Sequence, residues 1–221
     1  MSEPRKYKQS EETANAVSHL AGALLATAAL VVMIVFSALR GNAWHIVSTS
    51  VYGLTLVILY FSSGMAHALK EGKAKQVFFI FDKIAIFLLI AGTYTPLSLV
   101  VLHGAFGWVI FGLEWGMALA GIILTFTRVG KSEGRVNYFF VGLYVAMGWL
   151  MIIAIVPIFN SFPLSGFLWL LSGGIFYSLG ILFYAKAQFL YHHLVWHLMV
   201  IAGSVSHFIA IFNYVIPSGG S

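Results

Sequence analysis

The chain has 221 residues, of which 60% are hydrophobic and only 9% charged, with a formal net charge of +5. Soluble domains carry roughly a quarter charged residues, so a water-soluble globule is excluded and a bilayer is the solvent that fits. There is no cysteine, which excludes disulfides and thiolate ligands and leaves histidine and carboxylate to hold any metal. The basic residues sit in short loops, so they report membrane topology rather than nucleic-acid binding.

Residues 1–16 form a polar leading segment without the short apolar core of a cleaved signal, and no cleavage is expected. About 20 apolar residues span the hydrocarbon core as a helix. Seven stretches qualify: Val17–Leu39, Ile46–Ala66, Phe78–Val101, Phe106–Phe126, Tyr138–Ile158, Leu164–Tyr184 and Leu194–Val215. They predict one all-α, seven-span bundle over 17–215, since a closed barrel would need alternating ten-residue strands. Residues 216–221 form a short tail, and its final Ser218-Gly219-Gly220-Ser221 is read as appended.

A cytoplasmic N-terminus places Arg5, Lys6, Lys8, Lys70, Lys73, Lys75, Lys83, Arg128, Lys131, Arg135 and Lys186 at the inner face and only Arg40 outside. The positive-inside rule selects that orientation. Pro96, late in the third span, predicts a kink. Gly112 and Gly116 have the small-xxx-small spacing of helix packing, and Trp44, Trp108 and Trp149 suit an interfacial belt.

Ionisable groups within spans are costly and mark function. His67 ends the second span, Asp82 begins the third, and His193 and His197 begin the seventh. The topology brings all four level in the inner leaflet. His193 and His197 share one helix face, one turn apart, and with His67 they offer three nitrogens. Three histidines with an open fourth position are a common catalytic zinc arrangement. Ser63 lies one turn deeper than His67 on the same face. Asp82 is placed to orient or deprotonate a water at the metal, or to support a ligand histidine.

Plainer readings compete. End-of-helix histidines sit among headgroups, Asp82 pairs with Lys83 at the membrane edge, and Ser63 bonds the carbonyl one turn back. His192 points away from the shared face, and His207, roughly 15 Å further along the helix, is too deep for the same metal. Glu12 and His19 are expected at the surface, with a supporting role as the alternative. His45 and His103 are expected in outer loops. Glu114, in the fourth span toward the outer half, has no obvious partner.

These residues resemble the bacterial hemolysin III family, within the progestin and adipoQ receptor superfamily. The matching pieces are Glu12-Thr13-Ala14-Asn15, Ser18-His19 and Gly22, then Ser63-Gly64-Met65-Ala66-His67. They continue with Phe81-Asp82-Lys83, Ala91-Gly92-Thr93-Tyr94-Thr95-Pro96, His193-Leu194-Val195-Trp196-His197 and Ser206-His207-Phe208. The resemblance implies seven spans, a cytoplasmic N-terminus and zinc held by His67, His193 and His197, with Ser63 and Asp82 at the family's other polar positions. Kinship with membrane-embedded hydrolases, alkaline ceramidases among them, implies zinc-dependent cleavage of a lipid amide or ester in membrane lipid homeostasis. Lys83 departs from the pattern, and a cation there lowers the basicity of Asp82.

The preferred expectation is therefore an intramembrane hydrolase that takes a lipid-like substrate from the membrane lipids. Two alternatives stand beside it. One is a sensor whose structural zinc is closed by Asp82 as fourth ligand. The other is a pore-forming cytolysin, disfavoured by the lack of a polar stripe running through several spans.

Overall fold

The computed structural model describes residues 7–127, 137–185 and 189–216. Among them there are eight α-helices: α1 (Gln9–Arg40), α2 (Ala43–Ala68), α3 (Lys73–Pro96), α4 (Gly104–Thr127), α5 (Tyr138–Gly148), α6 (Ile155–Ser161), α7 (Leu164–Ala185) and α8 (His192–Ala210). Six of the resulting helical segments are long and apolar enough to cross a membrane, and the bent pair containing α5 and α6, counted as one broken span, brings the number to seven. This is an all-α multi-pass membrane protein. Arg5, Lys6, Arg128, Lys131, Arg135 and Lys186, which contributed to the charge argument, lie outside the described residues, as do residues 217–221.

The helix ends are set locally. Glu11 accepts the Lys8 backbone N–H at 3.1 Å, which fixes the start of α1. Asn42 caps α2 by accepting the N–H groups of Trp44 and His45, the usual task of asparagine at that position. His45 therefore stands in the first turn of α2, buried, and not in an outer loop. His103 does lie between elements, at a positive φ of 45°.

Irregular backbone gathers in one half of the bundle. Pro96 ends the α-helical part of α3, and the span continues as a wider π-helical turn over Leu97–Leu102. The fifth span, expected as one helix, is bent by 51° between 138–152 and 155–161. Pro157 explains the position of the break, because it cannot donate to the carbonyl of Ile153. A second π-helical turn, Ile211–Val215, follows α8.

α1 packs most extensively on α2, α2 on α3, and α7 on α8, while α8 also touches α1. Packing of α5 on α3 and α7 is sparse. Gly92 lets α2 and α3 approach, since a Cβ there would meet Thr55 Oγ1 at 2.2 Å. Gly112 and Gly116 do not play the part their spacing suggests. Both face outward, and a Cβ on either would meet nothing within 4 Å. Trp44 and Trp108 meet edge to face near the starts of α2 and α4, whereas Trp149 sits at the break in the fifth span and donates to Ser178.

The centre of the bundle holds a polar knot. Ser204 of α8 accepts from Tyr60 of α2 at 2.7 Å and bonds Tyr177 of α7 at 2.8 Å, while Tyr52 donates to the Ser204 carbonyl. Ser204→Ala removes the Tyr177 hydroxyl's partner and leaves Tyr60 only the Val200 carbonyl at 3.3 Å, and is expected to cost about 0.6–2 kcal/mol, the range for hydrogen bonds between membrane helices. Thermal unfolding in detergent, compared with a lipid-facing substitution such as Leu24→Ala, measures the loss.

Candidate metal centre

α1 begins at Gln9, about two turns before the apolar stretch read from sequence, and the extra turns carry polar side chains into the bundle. Glu12, Asn15, His19 and Gly22 follow one another at intervals of three and four, so they share a helix face. That face is turned inward: Asn15, His19 and Gly22 are buried. His19 is only 3% exposed, which overturns its expected place at the surface. Its ring stacks on that of His197, with centroids 3.5 Å apart and planes 11° from parallel. Gly22 leaves room for Tyr60, whose ring a Cβ there would meet at 2.8 Å, and Tyr60 in turn stands edge-on to His19.

At the same end of the bundle, ring nitrogens of His67, His193 and His197 lie within 4.8 Å of one another, one from each residue. α2 delivers His67 at its last turn and α8 delivers the other two from its first turns. The ring nitrogens are not equivalent. His67 Nδ1 faces Glu12 Oε2 at 2.5 Å. Because a carboxylate only accepts, a proton sits on Nδ1, and in the neutral ring Nε2 carries the lone pair. That Nε2 is buried and has no hydrogen-bond partner among the described residues. His197 repeats the device: its Nδ1 lies 3.2 Å from the Asn15 carbonyl and 3.1 Å from Ser18 Oγ, which keeps its Nε2 free. Buried His193 Nδ1 likewise lacks a partner. An imidazole fixed through one nitrogen by an oxygen acceptor, with the other nitrogen open, is how proteins present histidine to a metal.

Glu12 is itself held in place. Lys75 Nζ lies 3.0 Å from its other oxygen, donates to the Leu69 carbonyl at 3.4 Å and approaches Glu71 at 3.7 Å. Lys75 is thus buried against Glu12 instead of marking a solvated loop, and Glu12 belongs to the site rather than the surface. Glu11 grips the neighbouring helix by accepting the Tyr191 N–H at 3.0 Å. Tyr191 is in the left-handed region, at φ 62°, and precedes α8 directly. The Tyr7 ring covers the site, 5.2 Å from His193 and 6.5 Å from His67.

The remaining sequence candidates sort clearly. Asp82 lies within electrostatic reach of His67 and close to Ser63, and its oxygens are not among the atoms that gather with the three histidines. Lys83 is exposed, on a different side of α3. His192 stands apart, bonding the Phe183 carbonyl, and His207 bonds the Leu170 carbonyl, tying α8 to α7. What sequence reasoning undervalued was α1. The spacing of Glu12, Asn15 and His19 was the available signal.

A buried group of three histidines that could hold a metal ion, set between the membrane-crossing helices of a multi-pass protein, is the class of site the fold defines. The family model for Haemolysin-III related proteins matches residues 7–208, and the chain belongs to that family. It is 38% identical over 208 residues to Hemolysin-3 of Bacillus cereus, covering 94% of this chain and 93% of that one. It is 40% identical over 206 residues to the Hemolysin-3 homolog of Bacillus subtilis (strain 168), covering 93% and 95%. It is also 28% identical over 225 residues to the human monocyte to macrophage differentiation factor, covering 96% and 89%, a relative within the progestin and adipoQ receptor superfamily.

Glu12→Gln replaces an acceptor-only carboxylate by an amide and loosens both His67 and Lys75. Metal retention is expected to weaken about 10- to 100-fold, as read by competition with a chromophoric chelator on the detergent-purified protein.

Proposed function

We propose that this protein is a zinc-dependent intramembrane hydrolase of lipid amide or ester bonds. His67, His193 and His197 hold the metal near the cytoplasmic face. The observation that carries this reading is the pair of enclosed, unpartnered nitrogens, His67 Nε2 and His193 Nδ1, beside a third ring whose Nδ1 is already engaged. Three imidazoles without a thiolate suit zinc. When bound, zinc polarises a carbonyl and lowers the pKa of water.

The chain's own residues supply the rest. Asp82 accepts and returns a proton beside the three histidines, and Ser63 donates a hydrogen bond to the oxygen on which charge develops. Glu12, with Lys75 behind it, keeps His67 in one tautomer. The substrate enters sideways from the membrane lipids. The sparse packing of α5 on α3 and α7 supports an opening there, and Asp82 on α3 borders it.

A sensor with a structural zinc would require a fourth protein ligand. The absence of Asp82 oxygens from the gathered atoms favours an open position and hence chemistry. A cytolytic role has one specific support, the name Hemolysin-3 carried by the Bacillus relatives.

Mass spectrometry of the purified protein is expected to find about one zinc per chain, lost in His193→Ala/His197→Ala. A screen of lipid amides and esters is then expected to yield a substrate whose turnover falls about 10²- to 10⁴-fold in Asp82→Ala with zinc content kept. Preparations free of chelator that hold no metal would sink the proposal. Lysis of lipid vesicles undiminished in both variants would favour the cytolysin.

A further inference from the structure

We propose that Glu114 forms a second site, separate from the three histidines, that binds a proton in exchange for a small monovalent cation. Glu114 is 0% exposed, and neither carboxyl oxygen has a hydrogen-bond partner among the described residues. As a carboxylate it would be a bare charge inside the bundle, and as an acid it would leave an O–H and a C=O unsatisfied. Such groups call for an explanation, a bound ion among them, and an ionisable one within a membrane span points to function.

The surroundings of Glu114 are small or apolar side chains with one nearby phenol. Ile110, Ala118 and Gly121 share the buried face of α4 with Glu114. Tyr94 of α3 lies within electrostatic reach of it. The Tyr94 hydroxyl donates to the Gly148 carbonyl at 3.0 Å and accepts the Met151 N–H at 2.7 Å. Both partners border the break in the fifth span, so Tyr94 links the neighbourhood of Glu114 to the C-terminal end of α5. A half-helix ending inside the membrane presents carbonyl dipoles that favour a cation, and interrupted backbone is tolerated there when it lines a cavity or is covered by protein.

The ligand's charge follows from the groups present. The π-helical turn after α3 contributes no ionisable side chain. In α5, Tyr138 and Tyr144 are turned to the Ala185 and Lys83 carbonyls. Glu114 therefore offers one negative charge with no countercharge from these elements, which a proton or a monovalent cation cancels. A divalent ion would leave net charge in the apolar interior. Tyr94 lies twelve residues beyond Asp82, about 18 Å along the helix, so the two sites do not share ligands.

A hydrophobic carbodiimide tests this on the intact protein. The reagent takes the proton of a neutral carboxylic acid on nitrogen and the carboxyl oxygen adds to its central carbon. Acyl migration then leaves a stable N-acylurea. Dicyclohexylcarbodiimide is expected to label Glu114, located by peptide mass spectrometry. Sodium or lithium should slow labelling severalfold while choline at equal ionic strength does not. Glu114→Gln should abolish that adduct and leave metal content at the histidines unchanged. Because protection is read on the unmutated protein, the test stands even if the variant misfolds. No adduct at Glu114, or labelling that sodium, lithium and potassium all leave unaltered, would overturn the proposal.

Discussion

Hydrocarbon offers no hydrogen bonds, so polar side chains in these spans turn toward the interior of the bundle, where the protein's own donors and acceptors are. That constraint explains why α1 is docked where it is. Glu12 on its inward face meets His67 of α2, and the Asn15 carbonyl and Ser18 hydroxyl meet His197 of α8, whereas the Asn15 side chain and both His19 nitrogens have no hydrogen-bond partner among the described residues. Ring stacking between His19 and His197 closes the same seam. The pairings fix the approach of three helices and the tautomers of two histidines with one set of contacts. Packing and chemistry are therefore specified by the same atoms.

The two halves of the bundle differ in kind. Where α1 begins, the helices are regular and the polarity lies in side chains. In the other half, two π-helical turns and a broken span carry the irregularity in the backbone. Between them stands the tyrosine–serine knot on Ser204, which joins α2, α7 and α8 without charge. A neutral, fully bonded layer of that kind holds the central helices together while each half is free to adopt its own chemistry.

Much of this was legible in the residues. Long apolar runs mark spans whatever their packing, so all seven positions could be read. Level placement of His67, Asp82, His193 and His197 followed from counting helix directions. The limits were physical as well. Apolar run length says where hydrocarbon begins, not where a helix begins, so α1's polar first turns were set outside the membrane and Glu12 and His19 with them. Lys75 looked like a topological marker because a sequence does not display the carboxylate that buries it. Gly112 and Gly116 had the spacing of an interface, but spacing leaves undecided which face meets a neighbour and which meets lipid. The bend before Pro157 required knowing how the helix would rearrange around the hydrogen bond which proline removes.

The residues that frame the metal centre come from the first span, the end of the second and the start of the last. Membrane helices are inserted in the order they are synthesised, and N-terminal parts of a chain generally form first. The Glu11 contact to Tyr191, just ahead of α8, cannot exist until the intervening spans are in place. A nascent bundle thus holds His67 and its carboxylate early, yet gains the remaining two imidazoles only on closure of the ring. Until the last span docks, the bundle holds only His67 of the three gathered histidines, so the cluster is complete only when the first and last helices have met.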